Sequence, residues 1–257
     1  MKENILNSSR KERIRDFNPQ KTHSQHPMLG VDVAKKMRKK ALSENGFYHI
    51  YNRGVDKRTV FLDDLDYRRF LLSIDLLNDE KDGLMQAWRD YKRDNPQMNI
   101  QDFLKSRVGK RNALVKIITY SLISNHYHFI LEQVSEKGIE KFMQKLGNSF
   151  TKYFNERHER NGALFQGKFK SSHISSTSQL LRLSVYVNCN SEIHKIHPAK
   201  NYKWCSFADY LKPERSSICQ KKVIMDNFEN PRNYEEYAKE NISSFQQEKE
   251  DQKLVLE

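Results

Sequence analysis

An α+β fold, a ferredoxin-like split βαβ sandwich on an antiparallel sheet, is predicted by three observations on this sequence. Segments with strand alternation and segments with helical periodicity follow one another in the order β-α-β-β-α-β-α. Two of the strands, "ALVKIITYSLIS" and "NHYHFILEQV", meet with almost no loop, as the arms of a hairpin do. The strand Tyr127, Phe129, Leu131 shows an apolar face suited to a layer of helices, which leaves the opposite face of the sheet open for a ligand.

The first core element is "GFYHIYNRG", in which Phe47, His49 and Tyr51 alternate with Tyr48 and Ile50 until Asn52, Arg53 and Gly54 end the strand. "DDLDYRRFLLSIDLLND" places Leu65, Phe70, Leu71, Ile74, Leu76 and Leu77 at helical spacing behind an Asp-rich start that complements a helix N-terminus. From about 80 to 112 the chain is charged and weakly helical, and reads as an insertion with two short helices around Pro96. After the hairpin, "EKGIEKFMQKLGNSFTKYFNERHER" carries Ile139, Phe142, Met143, Leu146, Phe150 and Phe154 at steps of three and four, the pattern of a long amphipathic helix. "LFQGKFKSSHIS" reads as the last strand. "STSQLLRLSVYVNCNSEIHK" follows as a helix with Leu180, Leu181, Ser184 and Val185 on one face. The expected organisation is a basic N-terminal extension over 1–43, a folded domain over 44–211, and a charged C-terminal extension over 212–257. That extension holds one helix around "NYEEYAKENISSFQQEKE" and is assigned no chemistry.

The chain has 257 residues, with 45 Lys and Arg against 33 Asp and Glu, a formal charge of +12. Its pI near 9.4 favours a polyanionic partner through phosphate neutralisation and counterion release. Three cysteines, Cys189, Cys205 and Cys219, lack CxxC spacing, so neither a disulfide framework nor a cysteine-rich zinc site is indicated. No signal-like or membrane-spanning apolar run occurs, and a reducing cytoplasm is the expected compartment.

The chemistry-bearing signal lies in "SNHYHFILEQ". A strand period of two puts His126, His128, Ile130 and Glu132 on the face away from the helices. Two neutral imidazoles on one strand face can converge on a metal ion and leave positions open for water or substrate oxygens; spacing alone more often marks a half-exposed strand face than a ligand pair. Tyr186 and Asn190 stand four residues apart on the last helix and share a face. If that helix crosses the open face, the Asn190 amide becomes a third, hard ligand and Tyr186 points at whatever the ion holds. The plainer alternative makes Tyr186 a half-buried aromatic and Asn190 a helix cap.

Four stretches together resemble the HUH single-tyrosine transposases, and within them the REP-associated tyrosine transposases, over roughly Gly46 to Leu211. "FYHIYNRG" is similar to that family's opening strand, "SNHYHFIL" to its His-hydrophobic-His strand, and "NERHERNGALFQGKFKS" to the turn and strand after its long helix. "VYVNCNSEIHK" followed by "NYKWCSFADYL" is similar to its tyrosine helix and Trp-Ser-Ser ending. The chain departs from the pattern at Ser124, where the family has Pro, at Ser191, where it has Pro after Asn, and at a Gly that is absent a few residues later. These changes bear on helix termination and local rigidity.

The resemblance implies a DNA transposase that cleaves and rejoins single-stranded DNA through a 5′-phosphotyrosine link. Tyr186 would be the nucleophile, and His126, His128 and Asn190 the ligands of Mg2+ or Mn2+. Its partner would be single-stranded or hairpin DNA, and a homodimer is one assembly the family adopts. Basic and aromatic groups near the site are the candidates for handling DNA: Asn52, Arg53, Phe165, Lys168 and Lys170. Tyr153, amid Phe150 and Phe154, is read as packing or a DNA-facing surface, and His49 as a neighbour of the metal pair, a DNA contact or an ordinary strand residue. The rival reading is a catalytically weakened module of the same fold that binds structured DNA or RNA. A phosphodiesterase that delivers water in place of tyrosine ranks third.

Overall fold

The computed structural model describes residues 42–212, 214 and 217–254. The basic N-terminal extension expected over 1–43 lies almost wholly outside the described residues.

Four strands form one sheet in the order β2-β3-β1-β4, every neighbouring pair antiparallel. They are β1 (Phe47–Arg53), β2 (Val115–Ile123), β3 (His126–Gln133) and β4 (Lys170–Ile174). The sheet order is that of a split βαβ sandwich, because β3 returns between β1 and β2. The register places Ile50 opposite Phe129, Tyr48 opposite Leu131 and Tyr120 opposite Phe129. Those side chains share one face, against α1 (Asp64–Leu77) and α4 (Gly138–Arg157). Phe61, Phe70 and Phe150 meet edge-on or tilted at centroid distances of 4.9 to 5.3 Å and fill the space between helices and sheet. Asp63 caps α1 by accepting from the amides of Leu65 and Asp66. At the start of α4 only glycine fits: a Cβ on Gly138 would stand 2.1 Å from the Leu114 carbonyl oxygen.

The insertion folds as α2 (Leu84–Asp94) and α3 (Ile100–Phe103), on either side of Pro96. It has a small core of its own, in which Leu84, Met85, Phe103, Leu104 and Val108 pack on Leu76 of α1. Arg111 fastens its base by pairing with Asp75 at 2.7 Å and Asp79 at 3.2 Å.

The second face of the sheet is not open along its length. Ile118, Ile130 and Ile174 are buried there under α5 (Thr177–Asn188), α6 (Asn190–Ile193) and α7 (Phe207–Leu211). After the short α8 (Lys222–Met225), the segment read as a charged extension becomes α9 (Pro231–Leu254), which lays Tyr234, Ala238, Ile242 and Phe245 onto this second core. Their steps of four, four and three make one narrow apolar stripe on an otherwise charged helix.

Tyr234, with no exposed surface, ties α9 to α5. The Ser184 hydroxyl donates to the Leu181 carbonyl at 2.7 Å, so the Tyr234 hydroxyl donates to Ser184 Oγ at 3.0 Å while accepting from Asn188 Nδ2 at 2.9 Å. Removing that oxygen strands a buried amide N–H. Tyr234→Phe is therefore expected to cost about 1–3 kcal/mol, read as a shift in the urea-unfolding midpoint.

Candidate active site

The site forms where the second core stops short of the end of β3. His126 and His128 project from the face that also carries Arg53 and Tyr51 of β1, their register partners, and His49 one pair further along. His128 is buried, at 7% exposure, and His126 half-buried. Burial holds both imidazoles below their ordinary pKa, so both are neutral and carry a lone pair near neutral pH. His49 is pushed down to about 4 for the same reason.

The last helix crosses this face, with a break that the sequence spacing did not foresee. Helix α5 ends at Asn188, Cys189 leaves helical geometry at φ −104°, ψ 18°, and Asn190 starts the short α6. Asn190 nevertheless reaches the strand: its Oδ1 lies 3.1 Å from His126 Nε2. The Tyr186 ring stands edge-on to His128 and His49, at 5.6 and 6.0 Å between centroids. Burial raises the phenol's pKa and the Asn190 amide partly offsets that, so Tyr186 by itself is a weaker nucleophile than a free phenol.

The partners of the two His126 ring nitrogens decide whether a cation fits. Its Nδ1 lies 2.6 Å from Asn125 Oδ1 and its Nε2 3.1 Å from Asn190 Oδ1, so both ring nitrogens face acceptors, yet a neutral imidazole has one N–H. With the proton on Nδ1 toward Asn125, the Nε2 lone pair and the Asn190 oxygen converge, while Asn190 Nδ2 is buried without a partner. Two converging lone pairs at this separation suit a shared hard cation, because octahedral ligands at 2.0–2.1 Å lie about 3 Å from their neighbours. The residues present therefore fit Mg2+ or Mn2+. Among the described residues no group of three or more His, Cys, Asp or Glu is placed to hold a metal ion, so the candidate rests on two imidazoles and an amide.

The expected DNA-handling residues divide. Arg53, Lys168 and Lys170 are exposed, and Lys170 Nζ lies 6.0 Å from the centroid of the Tyr51 ring. Phe165 does not offer a face for stacking: at 7% exposure it is core, set against Tyr127 at 5.4 Å and Phe150 at 6.3 Å. Asn52 is likewise turned inward, donating to the Gly167 carbonyl at 3.2 Å and accepting from the Arg53 amide at 2.9 Å, which braces the turn beside Lys168. Tyr153 packs beside Phe150 at 5.8 Å with the Arg69 guanidinium over its ring.

Four residues at the site escaped the sequence reading. Tyr51, two positions after His49, lies nearly parallel to the His128 ring, its plane 24° away and its centroid at 5.7 Å; strand periodicity could have found it. His194, four residues after Asn190, brings its ring within 5.6 Å of His126, and helical spacing pointed to it. Lys249 of α9 donates to His194 Nε2 at 2.7 Å, and Phe245 of α9 packs against the Tyr186 ring at 5.2 Å. Nothing in local sequence predicts that α9 docks there.

Residues 91–190 match the family model described as Transposase IS200 like. That segment runs from α2 through β2, β3, α4, β4 and α5 to Asn190, and contains both histidines and the tyrosine. A solved structure described as "Structure of the REP associates tyrosine transposase bound to a REP hairpin" is similar with a TM-score of 0.45 and 14% identity, covering 71% of this chain and 88% of that chain. No curated protein matches the chain. Among the described residues no helix is long and apolar enough to cross a membrane.

The depressed imidazole pKa values fix a pH dependence. Between the unfolded pKa of about 6.5 and the folded value of about 4, the unfolded chain binds a proton at His49 that the folded chain does not, so stability falls as pH falls through that window. This one group contributes up to about 3 kcal/mol of the decline. Urea unfolding in EDTA at pH 7.0 and 5.0 should show it, with a smaller decline for His49→Gln.

Proposed function

We propose that this protein cleaves and rejoins single-stranded DNA with Tyr186 as nucleophile, on a divalent ion held by His126, His128 and Asn190. The observation that carries the reading is the convergence of His126 Nε2 and Asn190 Oδ1 beside the Tyr186 ring. A bound Mg2+ or Mn2+ would offset the charge that builds on the phosphodiester and draw the phenol toward ionisation. The chain's own residues do the rest. Tyr186 Oη forms a bond to phosphorus while the bond from phosphorus to the 3′ oxygen breaks, which leaves a 5′-phosphotyrosine and a 3′-hydroxyl that takes up a proton. Attack by another 3′-hydroxyl reverses the step at a new junction without ATP. Arg53, Lys168 and Lys170 line the approach as phosphate contacts, and the positive charge of the chain favours a nucleic acid partner.

The test is incubation of the purified protein with a pool of hairpin-bearing single strands and Mn2+, followed by denaturing electrophoresis and mapping of the modified residue. A covalent adduct at Tyr186 that EDTA prevents is the expected result; an adduct elsewhere, or none, defeats the proposal. The second reading, a binding module of the same fold, draws on Phe245 packed over the tyrosine and on the raised phenol pKa. Tight hairpin binding with no adduct under any metal would select it.

A further inference from the structure

The second metal-facing histidine is held from behind by another histidine. His49 Nε2 and His128 Nδ1 are 2.9 Å apart, the rings are 15° from coplanar, and their centroids are 5.1 Å apart. That separation is what two imidazoles joined edge to edge through one N–H···N hydrogen bond require, and it is too long for face-to-face stacking. Only one proton lies on that line. If His49 supplies it, His128 carries its own proton on Nε2 and cannot ligate; if His128 supplies it, the Nε2 lone pair is free.

The neighbouring histidine shows which arrangement the site is built for. His126 also has its Nδ1 against an acceptor, Asn125 Oδ1 at 2.6 Å, and directs Nε2 at Asn190. Both imidazoles of β3 are thus gripped at Nδ1, one by an amide oxygen and the other by a ring nitrogen. We infer that His49 is a positioning residue: it accepts the Nδ1 proton of His128, fixes the tautomer that exposes Nε2, and thereby prepares the site for its metal ion. This rests on the metal seat proposed above. Acceptors behind metal-bound imidazoles orient the ring and raise its basicity, and their loss typically weakens metal affinity 10- to 100-fold. The His49 ring also packs against Tyr51 at 5.1 Å and edge-on to Tyr186 at 6.0 Å, so the residue that would set the tautomer stands beside the proposed nucleophile.

The experiment uses the full-length protein labelled with 15N-histidine. Long-range 1H–15N spectra of the metal-free protein report the tautomer of each ring, and Mn2+ titration followed by electron paramagnetic resonance reports affinity. His128 is expected as the Nδ1–H tautomer in the wild type. His49→Leu should lose that preference and bind Mn2+ about 10- to 100-fold more weakly, whereas His49→Gln, which keeps an acceptor oxygen, should stay within a few-fold. An Nε2–H tautomer for His128 in the wild type overturns the inference even if His49→Leu fails to fold. Wild-type Mn2+ affinity in His49→Leu also overturns it, with the metal seat intact provided that His126→Ala loses the ion. If His126→Ala leaves Mn2+ binding untouched, the seat itself is wrong and the role of His49 falls with it.

Discussion

Tyr186→Phe is expected to lower covalent adduct formation by at least about a thousandfold while leaving Mn2+ affinity and hairpin binding within a few-fold of wild type. The substitution removes one oxygen and keeps the ring. Its edge contacts with His49 and His128 and its packing on Phe245 survive, so the cavity around the ion site does not collapse. Among the described residues no other phenol is equally placed. Tyr51 shares the face, but its ring lies nearly parallel to His49 and His128 on the strand beneath, and Tyr153 sits on the opposite side of the sheet among the residues of the α1 and α4 layer. Adduct yield on a denaturing gel checks the prediction. Strand cleavage without adduct in Tyr186→Phe would mean that water is delivered instead, and the protein would then be a phosphodiesterase. Tyr51→Phe is the control: an adduct lost there and kept in Tyr186→Phe would move the nucleophile to β1.

The sequence revealed this geometry unevenly, for physical reasons that differ by residue. Period-two alternation put His126 and His128 on one face of β3, and the register with β1 agrees because a strand allows no other assignment. The crossing of that face by the tyrosine helix was legible as an expectation, but the break at Cys189 was not: "VYVNCNSE" has no Gly or Pro to mark it. Phe165 was misread as a surface aromatic because basic neighbours surround it, although one inward position within a polar loop is enough to reach Tyr127 and Phe150. The largest miss is α9. Its charged residues outnumber the apolar ones, yet Tyr234, Ala238, Ile242 and Phe245 need only one narrow stripe to bury against α5. Composition averages over that stripe, and so an element that delivers Phe245 and Lys249 to the site looked like a solvated tail.

His128→Ala should produce the complementary failure, a loss of Mn2+ binding of more than about 100-fold accompanied by loss of the adduct, with hairpin binding retained. The lower bound follows from the smaller effect of merely removing an outer acceptor, since a ligand contributes more than the group that orients it. The ring also fills a buried position beside Tyr51, His49 and Tyr186, so the variant leaves a small cavity and costs about 1–3 kcal/mol of stability. Thermal melting measured alongside the Mn2+ titration separates the two effects, because a cavity lowers the melting temperature without metal whereas a lost ligand removes the stabilisation that added Mn2+ gives the folded state. Tyr186→Phe should keep that metal-dependent stabilisation in full. Those two outcomes together would divide the proposed site into an ion seat on β3 and a nucleophile on α5, and a protein in which both substitutions left Mn2+ stabilisation unchanged would not be using this face of the sheet for metal at all.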